Sequence, residues 1–294
     1  MKMILKSWDN KKITIHEWLN VKKPKGIVQI IHGMVEHGAR YDKFAKFLNS
    51  KGYLVVADDH RGHGNTDKTT LGYCDGDMFA DTVKDEGFIT DYYKQKYPNL
   101  KYFVFGFSYG SFLTQSYIGK YGNKIDGVVI GGSNYKKDFQ VYLGSFVCLF
   151  NNKKKPAKLI EKLSFGAYAK NFDEGEWLSV DKDNNTHYHA DPYCKFICSY
   201  RFYADFFRGL RKLYTKKYIR NLNKDLPILL ISGKDDPVGN MGKGVKKLFN
   251  FYKNKAKVKY VSLILFPHSR HEFLNEMPEA LDRYEILLDF FDKH

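Results

Sequence analysis

Apolar residues in this chain come in two rhythms. Residues 3–8 and 13–18 alternate apolar with polar around Asp9-Asn10, which predicts an antiparallel hairpin at a sheet edge. GIVQII at 26–31, YLVVA at 53–57, YFVF at 102–105, GVVI at 127–130, PILLIS at 227–232 and residues 258–266 are instead nearly unbroken apolar runs. Such runs suit strands buried on both faces of a parallel sheet. Between them, apolar residues recur at helical spacing: Tyr41, Phe44, Ala45, Phe47 and Leu48 before Gly52, and a segment that Asp77 can cap, extending to about residue 97 before Pro98. A basic helix is expected near 244–253, and a last helix over 278–291 with Pro278 in its first turn. The strand and helix alternation breaks once. Residues 135–224 carry no clear parallel strand but several aromatic-rich helical patterns, including 139–150 and 196–214. The prediction is a mostly parallel, doubly wound α/β sheet with an antiparallel N-terminal edge and an inserted helical cap. Residues 1–134 and 225–294 would form the core and 135–224 the cap.

Composition changes this picture little. The chain has 294 residues, 43% of them hydrophobic and 16% aromatic, as expected for a globular protein. Lys and Arg number 48 against 33 Asp and Glu, for a net charge of +15. The lysines are scattered, the densest cluster being Lys153–Lys155 with Lys158, and no basic module interleaved with aromatics is present, so nucleic acid is not expected as a partner. Four cysteines, Cys74, Cys148, Cys194 and Cys198, form no C-x-x-C pair and show no zinc-ligand spacing. They suit small buried thiols, and no metal is expected. Only three consecutive apolar residues follow Met1-Lys2, so no secretory leader is expected and the cytoplasm is the default compartment. The uncharged stretch 102–119 is too polar for a membrane span.

The chemistry gathers at Gly106-Phe107-Ser108-Tyr109-Gly110, placed between the strand at 102–105 and a helical pattern in Phe112, Leu113 and Tyr117. A G-x-S-x-G turn between strand and helix holds a serine hydroxyl exposed on a strained backbone, and glycines are required where a Cβ would strike a neighbouring element. A serine nucleophile needs a base, and the base an orienting acid. Asp235 and Asp236 follow the strand at 227–232, and His268 and His271 follow the last strand. His187 and His189 precede the aspartates and are out of order for the base.

Five ordered motifs, HGMVEHGARYDKFAKFL, DHRGHG, GFSYGSF, ISGKDDPVG and RHEFLNE, with WLSVD and ADPYC inside the cap, resemble the monoacylglycerol lipase and lysophospholipase-like branch of the α/β-hydrolases, the serine aminopeptidase or hydrolase-4 type. The similarity covers nearly the whole chain. It implies an α/β-hydrolase fold with Ser108 as nucleophile, Asp236 of D-P-V-G as acid and His271 of R-H-E as base, His268 being the runner-up. It also implies an oxyanion hole from the backbone N–H groups of Met34 and Tyr109. Relatives commonly have His and Met flanking the nucleophile where this chain has Phe107 and Tyr109, a departure that bears on pocket shape and substrate choice. Asp59, His60, Arg61 and His63 are expected as scaffolding beside the site. The implied activity is cleavage of carboxylic esters such as monoacylglycerols or lysophospholipids, without cofactor. Phe107, Phe146 and Phe150 are expected against the acyl group, and the cap against a membrane surface. The alternatives are a small-ester carboxylesterase, an aminopeptidase whose amine-binding acid would come from Glu161, Asp173, Glu174 or Glu176, and a ligand-binding protein without turnover.

Overall fold

The computed structural model describes residues 1–137, 139–172 and 175–294. Among these, the chain runs β1 (Lys2–Lys6), β2 (Lys12–Trp18), β3 (Gly26–Ile31), α1 (Asp42–Ser50), β4 (Tyr53–Asp58), α2 (Met78–Lys96), β5 (Lys101–Phe107), α3 (Tyr109–Tyr121) and β6 (Gly127–Gly131). It continues through α4 (Phe139–Leu149), α5 (Lys158–Ala169), α6 (Lys182–Ala190), α7 (Tyr200–Lys212) and α8 (Lys216–Asn221) to β7 (Ile228–Gly233), α9 (Lys243–Asn250), β8 (Val261–Phe266) and α10 (Ala280–Lys293). The strands form one sheet in the order β1-β2-β4-β3-β5-β6-β7-β8. β1 and β2 pair antiparallel, β2 meets β4 antiparallel, and every later pairing is parallel. This is the α/β-hydrolase arrangement, with the antiparallel edge where Asp9-Asn10 predicted it.

Strand side chains alternate between two cores, as the pleat requires. Val28, Val55, Phe103, Phe105, Val129 and Ile231 face α1 and α10, where Phe44, Leu48, Tyr284 and Leu287 cover them. Ile27, Leu54, Val56, Tyr102, Val104 and Leu230 face the opposite layer, built from α2, α3, α7, α8 and α9. Asp77 caps α2 by accepting from the Ala80 N–H at 2.9 Å. Pro278 lies ahead of the last helix rather than in its first turn, since α10 begins at Ala280.

The chain leaves the sheet after Gly131 and returns at Ile228. Among the described residues, four of the helices between fall into two kinds. α7 and α8 send Phe202, Tyr203, Leu210 and Tyr218 into the main core. α4 and α5 keep much apolar surface in solvent, and α4 rests on α7 where Gly144 meets the Phe207 ring; a Cβ there would come within 2.5 Å of it.

Candidate active site

β5 delivers its last residue, Phe107, to the carboxyl end of the sheet, and the chain then reverses into α3 through Ser108. Ser108 has φ 53° and ψ −121°, a conformation costly for any residue with a Cβ. Its surroundings hold it there. A Cβ on Gly106 would lie 1.9 Å from Thr114 Oγ1, and one on Gly110 would lie 2.0 Å from the Ile31 carbonyl oxygen, so only glycine lets α3 pack this closely on β3 and β5. The Ser108 N–H donates to the Gly131 carbonyl at 3.0 Å. Below the turn, Ser111 Oγ lies 2.5 Å from the Ser108 carbonyl oxygen and 2.7 Å from Ser133 Oγ. Gln115 donates to Ser133 Oγ at 3.0 Å and accepts from the Tyr214 hydroxyl at 2.7 Å. A buried polar network with its partners in place is rigid.

Asp236 and His271 come from the loops after β7 and β8. His271 Nε2 lies 2.8 Å from Ser108 Oγ, and His271 Nδ1 lies 3.0 Å from Asp236 Oδ1. The Nδ1 contact lies outside hydrogen-bond alignment and becomes an ion pair when the ring is protonated. Asp236 is fully buried, accepting the Val238 N–H at 2.8 Å and the Ser232 hydroxyl at 3.0 Å, which fixes the carboxylate against the ring. Burial of His271 opposes its protonation, but the close Asp236 carboxylate, followed by the charges of Glu272 and Glu36, outweighs it and raises its pKa above the ordinary 6.5. The ring is packed between Phe107, at 4.8 Å between centroids, and Trp177, at 5.3 Å. His268 is exposed, and Asp235 lies beside the constellation without joining it.

Two backbone N–H groups adjoin the serine. Tyr109 begins α3, so its N–H has no partner within the helix. Met34 follows Gly33, whose α-carbon approaches so closely that a Cβ would sit 3.1 Å from that of Ser108. Met34, Ser108 and Tyr109 all border one cavity.

The Asp58–Gly64 loop braces the Met34 side. His32 and His60 stack at 3.6 Å. His60 donates from Nε2 to the His32 carbonyl at 3.0 Å, while its Nδ1 faces Asp58 Oδ2 at 2.8 Å. Burial disfavours charge on His60, yet Asp58 raises its pKa, consistent with protons on both nitrogens. His32 accepts the His60 backbone N–H at Nε2 (3.0 Å) and faces the Gly33 carbonyl through Nδ1 (2.8 Å); burial, with the His60 charge, holds it neutral. His63 is likewise held neutral by burial, its pKa lowered to about 3. Arg61 forks onto Asp85 and Asp9.

The cavity has a volume of about 790 Å³, ample for a drug-sized ligand, and is mostly apolar. Phe107 lies on its wall. Phe146 and Phe150 do not: they are 57% and 74% exposed and pack on each other at 4.8 Å. The face of α4 toward the cavity carries Gln140, Val141, Leu143, Gly144 and Val147 instead. Of the acids weighed for binding an amine, Glu161 lines the cavity and burial raises its pKa, whereas Glu176 faces His189 at 3.1 Å. Asp173 and Glu174 lie outside the described residues.

Sequence reasoning did not single out Trp177 and Leu178, which border the cavity, or Arg40, Glu36 and Glu272, which join in ion pairs behind His271. The motifs that carry the resemblance contain all five, but spacing alone does not show that they meet. Among the described residues, three sets of donor atoms stand close enough to share a cation: His16, His37 and Asp59; His32, Asp58 and His60; and His37, Asp191 and Cys194. Each set contains a histidine already paired with an aspartate at 2.8 to 2.9 Å. All four cysteines are buried and free, and no helix among the described residues is long and apolar enough to cross a membrane.

The chain is similar to several known proteins. The chain is 26% identical over 270 residues to the monoacylglycerol lipase of Mycolicibacterium smegmatis, covering 92% of this chain and 89% of that protein. It is 32% identical over 93 residues to the human monoglyceride lipase, covering 32% of this chain and 30% of that protein. A carboxyl esterase from Bacillus coagulans shares the fold with a TM-score of 0.90 at 24% identity, covering 100% of this chain and 98% of the other. The family model for the serine aminopeptidases of type S33, Hydrolase_4, matches residues 22–278, and with the sheet and the serine turn in agreement, the chain belongs to that family of α/β-hydrolases.

Proposed function

We propose that the protein is a serine hydrolase that cleaves monoacyl esters of the monoacylglycerol or lysophospholipid type, residues 135–224 forming a cap over a core of residues 1–134 and 225–294. The observation that carries this reading is the 2.8 Å contact between Ser108 Oγ and His271 Nε2 at the floor of a largely apolar cavity. Ser108 Oγ attacks the acyl carbon and passes its proton to His271 Nε2. Asp236 orients the ring and stabilises the imidazolium. The carbonyl oxygen, now an anion, is held by the N–H groups of Met34 and Tyr109. The C–O bond to the alcohol then breaks, the leaving oxygen taking the proton from His271. Water repeats the sequence on the acyl-enzyme, releasing the acid and restoring the serine.

The apolar wall supports an acyl chain, since each methylene withdrawn from water contributes about 0.8 kcal/mol. The outer surface of α4 and α5 supports contact with a lipid surface. Phe139, Phe146, Leu149, Phe150 and Leu159 are exposed there, with the exposed Lys153, Lys154, Lys155 and Lys158 close by in sequence. Glu161 on the cavity wall favours the second reading, an aminopeptidase that binds a substrate amine.

A series of monoacyl esters on the purified protein separates the two. The expected outcome is a kcat/KM that climbs by up to roughly fourfold per added carbon until the cavity is filled. A rate highest for acetyl esters and falling with each carbon, together with cleavage of aminoacyl amides, would reject the lipid reading in favour of the peptide one.

A further inference from the structure

We infer that Glu36 and Arg40 are positioning residues for acyl transfer: they lock the loop that carries Met34 and the loop that carries His271 to each other and to the base of the cap. The inference rests on the reading of Ser108, His271 and the Met34 N–H given above, and extends it to Glu36 and Arg40, which take no part in the bond changes although Glu36 and Glu272 border the cavity.

Glu36 Oε1 accepts the Gly33 N–H at 2.5 Å and the Tyr41 hydroxyl at 3.0 Å. The carboxylate thereby fixes the His32–Gly33 peptide, one peptide ahead of the Met34 N–H, with the left-handed Val35 at φ 58° just beyond. Its other oxygen accepts from Arg40 Nη1 at 2.7 Å. Arg40 in turn forks onto Glu272, the residue after His271, through Nη1 at 2.7 Å and Nη2 at 2.8 Å. A planar guanidinium held by two carboxylates fixes angle as well as distance, which a lysine cannot do. The cap closes the assembly. Asn184 donates to Glu272 Oε2 at 2.6 Å, and the Leu178 carbonyl accepts the Glu272 N–H at 2.6 Å. The Tyr188 ring lies 4.7 Å from the guanidinium carbon, and its hydroxyl donates to the Val35 carbonyl at 3.1 Å.

Glu36, Arg40 and Glu272 are all buried or nearly so, with Arg40 and Glu36 side chains only 10% and 4% exposed. Charges placed there are costly unless fully paired. A stabilising role alone needs no link between these two loops. The geometry joins the donor of the oxyanion site to the base, the two groups whose separation must match a single reacting carbonyl, and small misplacements of such groups are expensive.

The test compares Glu36→Ala, which removes the acceptor for Gly33, with Glu36→Gln, which keeps it, and Arg40→Lys, which keeps charge but not the fork. Ser108→Ala is run in parallel. Turnover of a soluble short-chain ester and thermal unfolding are measured for each. Glu36→Ala is expected to lower kcat by on the order of 10-fold to 100-fold with KM within about twofold. Glu36→Gln, which keeps the acceptor for Gly33 but turns an amide NH2 toward Arg40, should recover part of that loss, and Arg40→Lys should lower kcat less than Glu36→Ala. Equal kcat in Glu36→Ala and the unsubstituted protein, or equal losses in the alanine and glutamine variants that follow the loss in melting temperature, would overturn the positioning role. If the alanine variant does not fold, Arg40→Lys decides: a kcat within about twofold of the unsubstituted protein overturns it. Turnover surviving in Ser108→Ala would sink the underlying mechanism instead, so the two failures are distinguishable.

Discussion

The floor and the roof of the cavity are built on opposite principles. At the floor, Ser108, His271 and the Gly33-Met34 segment each rest on buried, hydrogen-bonded groups, and a glycine is required wherever two elements meet too closely for a Cβ. At the roof, α4 and α5 leave Phe139, Leu149 and Leu163 at least two-thirds exposed. The floor is over-determined because the chemistry tolerates little displacement. The roof meets an acyl chain that has no directional contacts to satisfy, so apolar surface of the right extent suffices. Substitutions at the floor should therefore change rate, and those at the roof should change which ester is preferred.

The largest expected effect sharpens that contrast at the floor. Ser108→Ala, His271→Ala and Asp236→Asn should each lower kcat by roughly 10³-fold or more while the melting temperature shifts by only a few degrees. The Ser108→Ala, His271→Ala double variant should be no slower than the Ser108 single variant. If His268→Ala abolished ester turnover and His271→Ala did not, the assignment of the base would fall.

A smaller effect, on pH dependence, follows from the charges around His271. Its folded-state pKa lies above 6.5 because Asp236, Glu272 and Glu36 outweigh burial. The neutral ring is the base, so kcat/KM should fall on the acid side with a midpoint above pH 6.5. The stability linkage has the opposite sign. A raised folded-state pKa contributes stability that is fully present below pH 6.5 and is lost as pH rises through the folded-state value. Asp236→Asn should move the acid limb of the residual activity to lower pH. A limb that stayed in place would show that Asp236 does not set the charge state of His271.

Much of the floor was legible in the sequence because its signals are local. Continuous apolar runs mark strands buried on both faces, and the glycines around Ser108 mark a turn between strand and helix. The ion-pair cluster at Arg40 was hidden for the converse reason: Glu36 is close in sequence, but Glu272 comes from the far end of the chain and Asn184 of α6 reaches Glu272 from the cap. The helix α4 was legible as a helix but not in its orientation. Its run of Phe139, Val141, Tyr142, Leu143, Phe146, Val147, Leu149 and Phe150 is apolar nearly all round, so no polar stripe indicates which side meets solvent. Volume and aromaticity favoured Phe146 and Phe150 as cavity residues. The structure instead turns Gln140, Val141, Leu143, Gly144 and Val147 toward the cavity, and α4 lies so close against α7 at Gly144 that a Cβ there would strike the Phe207 ring.

That reversal separates the two faces of one helix, and the difference is measurable. Val141 and Val147 border the cavity, whereas Phe146 and Phe150 stand outside it. Replacing the inner pair by alanine removes apolar contacts with a bound acyl chain, on the order of 1 kcal/mol per methylene-sized loss. The climb of kcat/KM with chain length should flatten, while an acetyl ester, too short to reach α4, changes little. Replacing the outer pair by serine removes no cavity wall, so hydrolysis of every water-soluble ester should stay within about twofold, with thermal stability shifted by less than about 0.5 kcal/mol. Only turnover of a long-chain monoacylglycerol presented in anionic vesicles should drop, because exposed phenylalanines beside lysines contribute to residence on such a surface. Should the outer pair flatten the chain-length series in solution while the inner pair leaves it intact, α4 must be rotated relative to the cavity, and the phenylalanines would return to its wall.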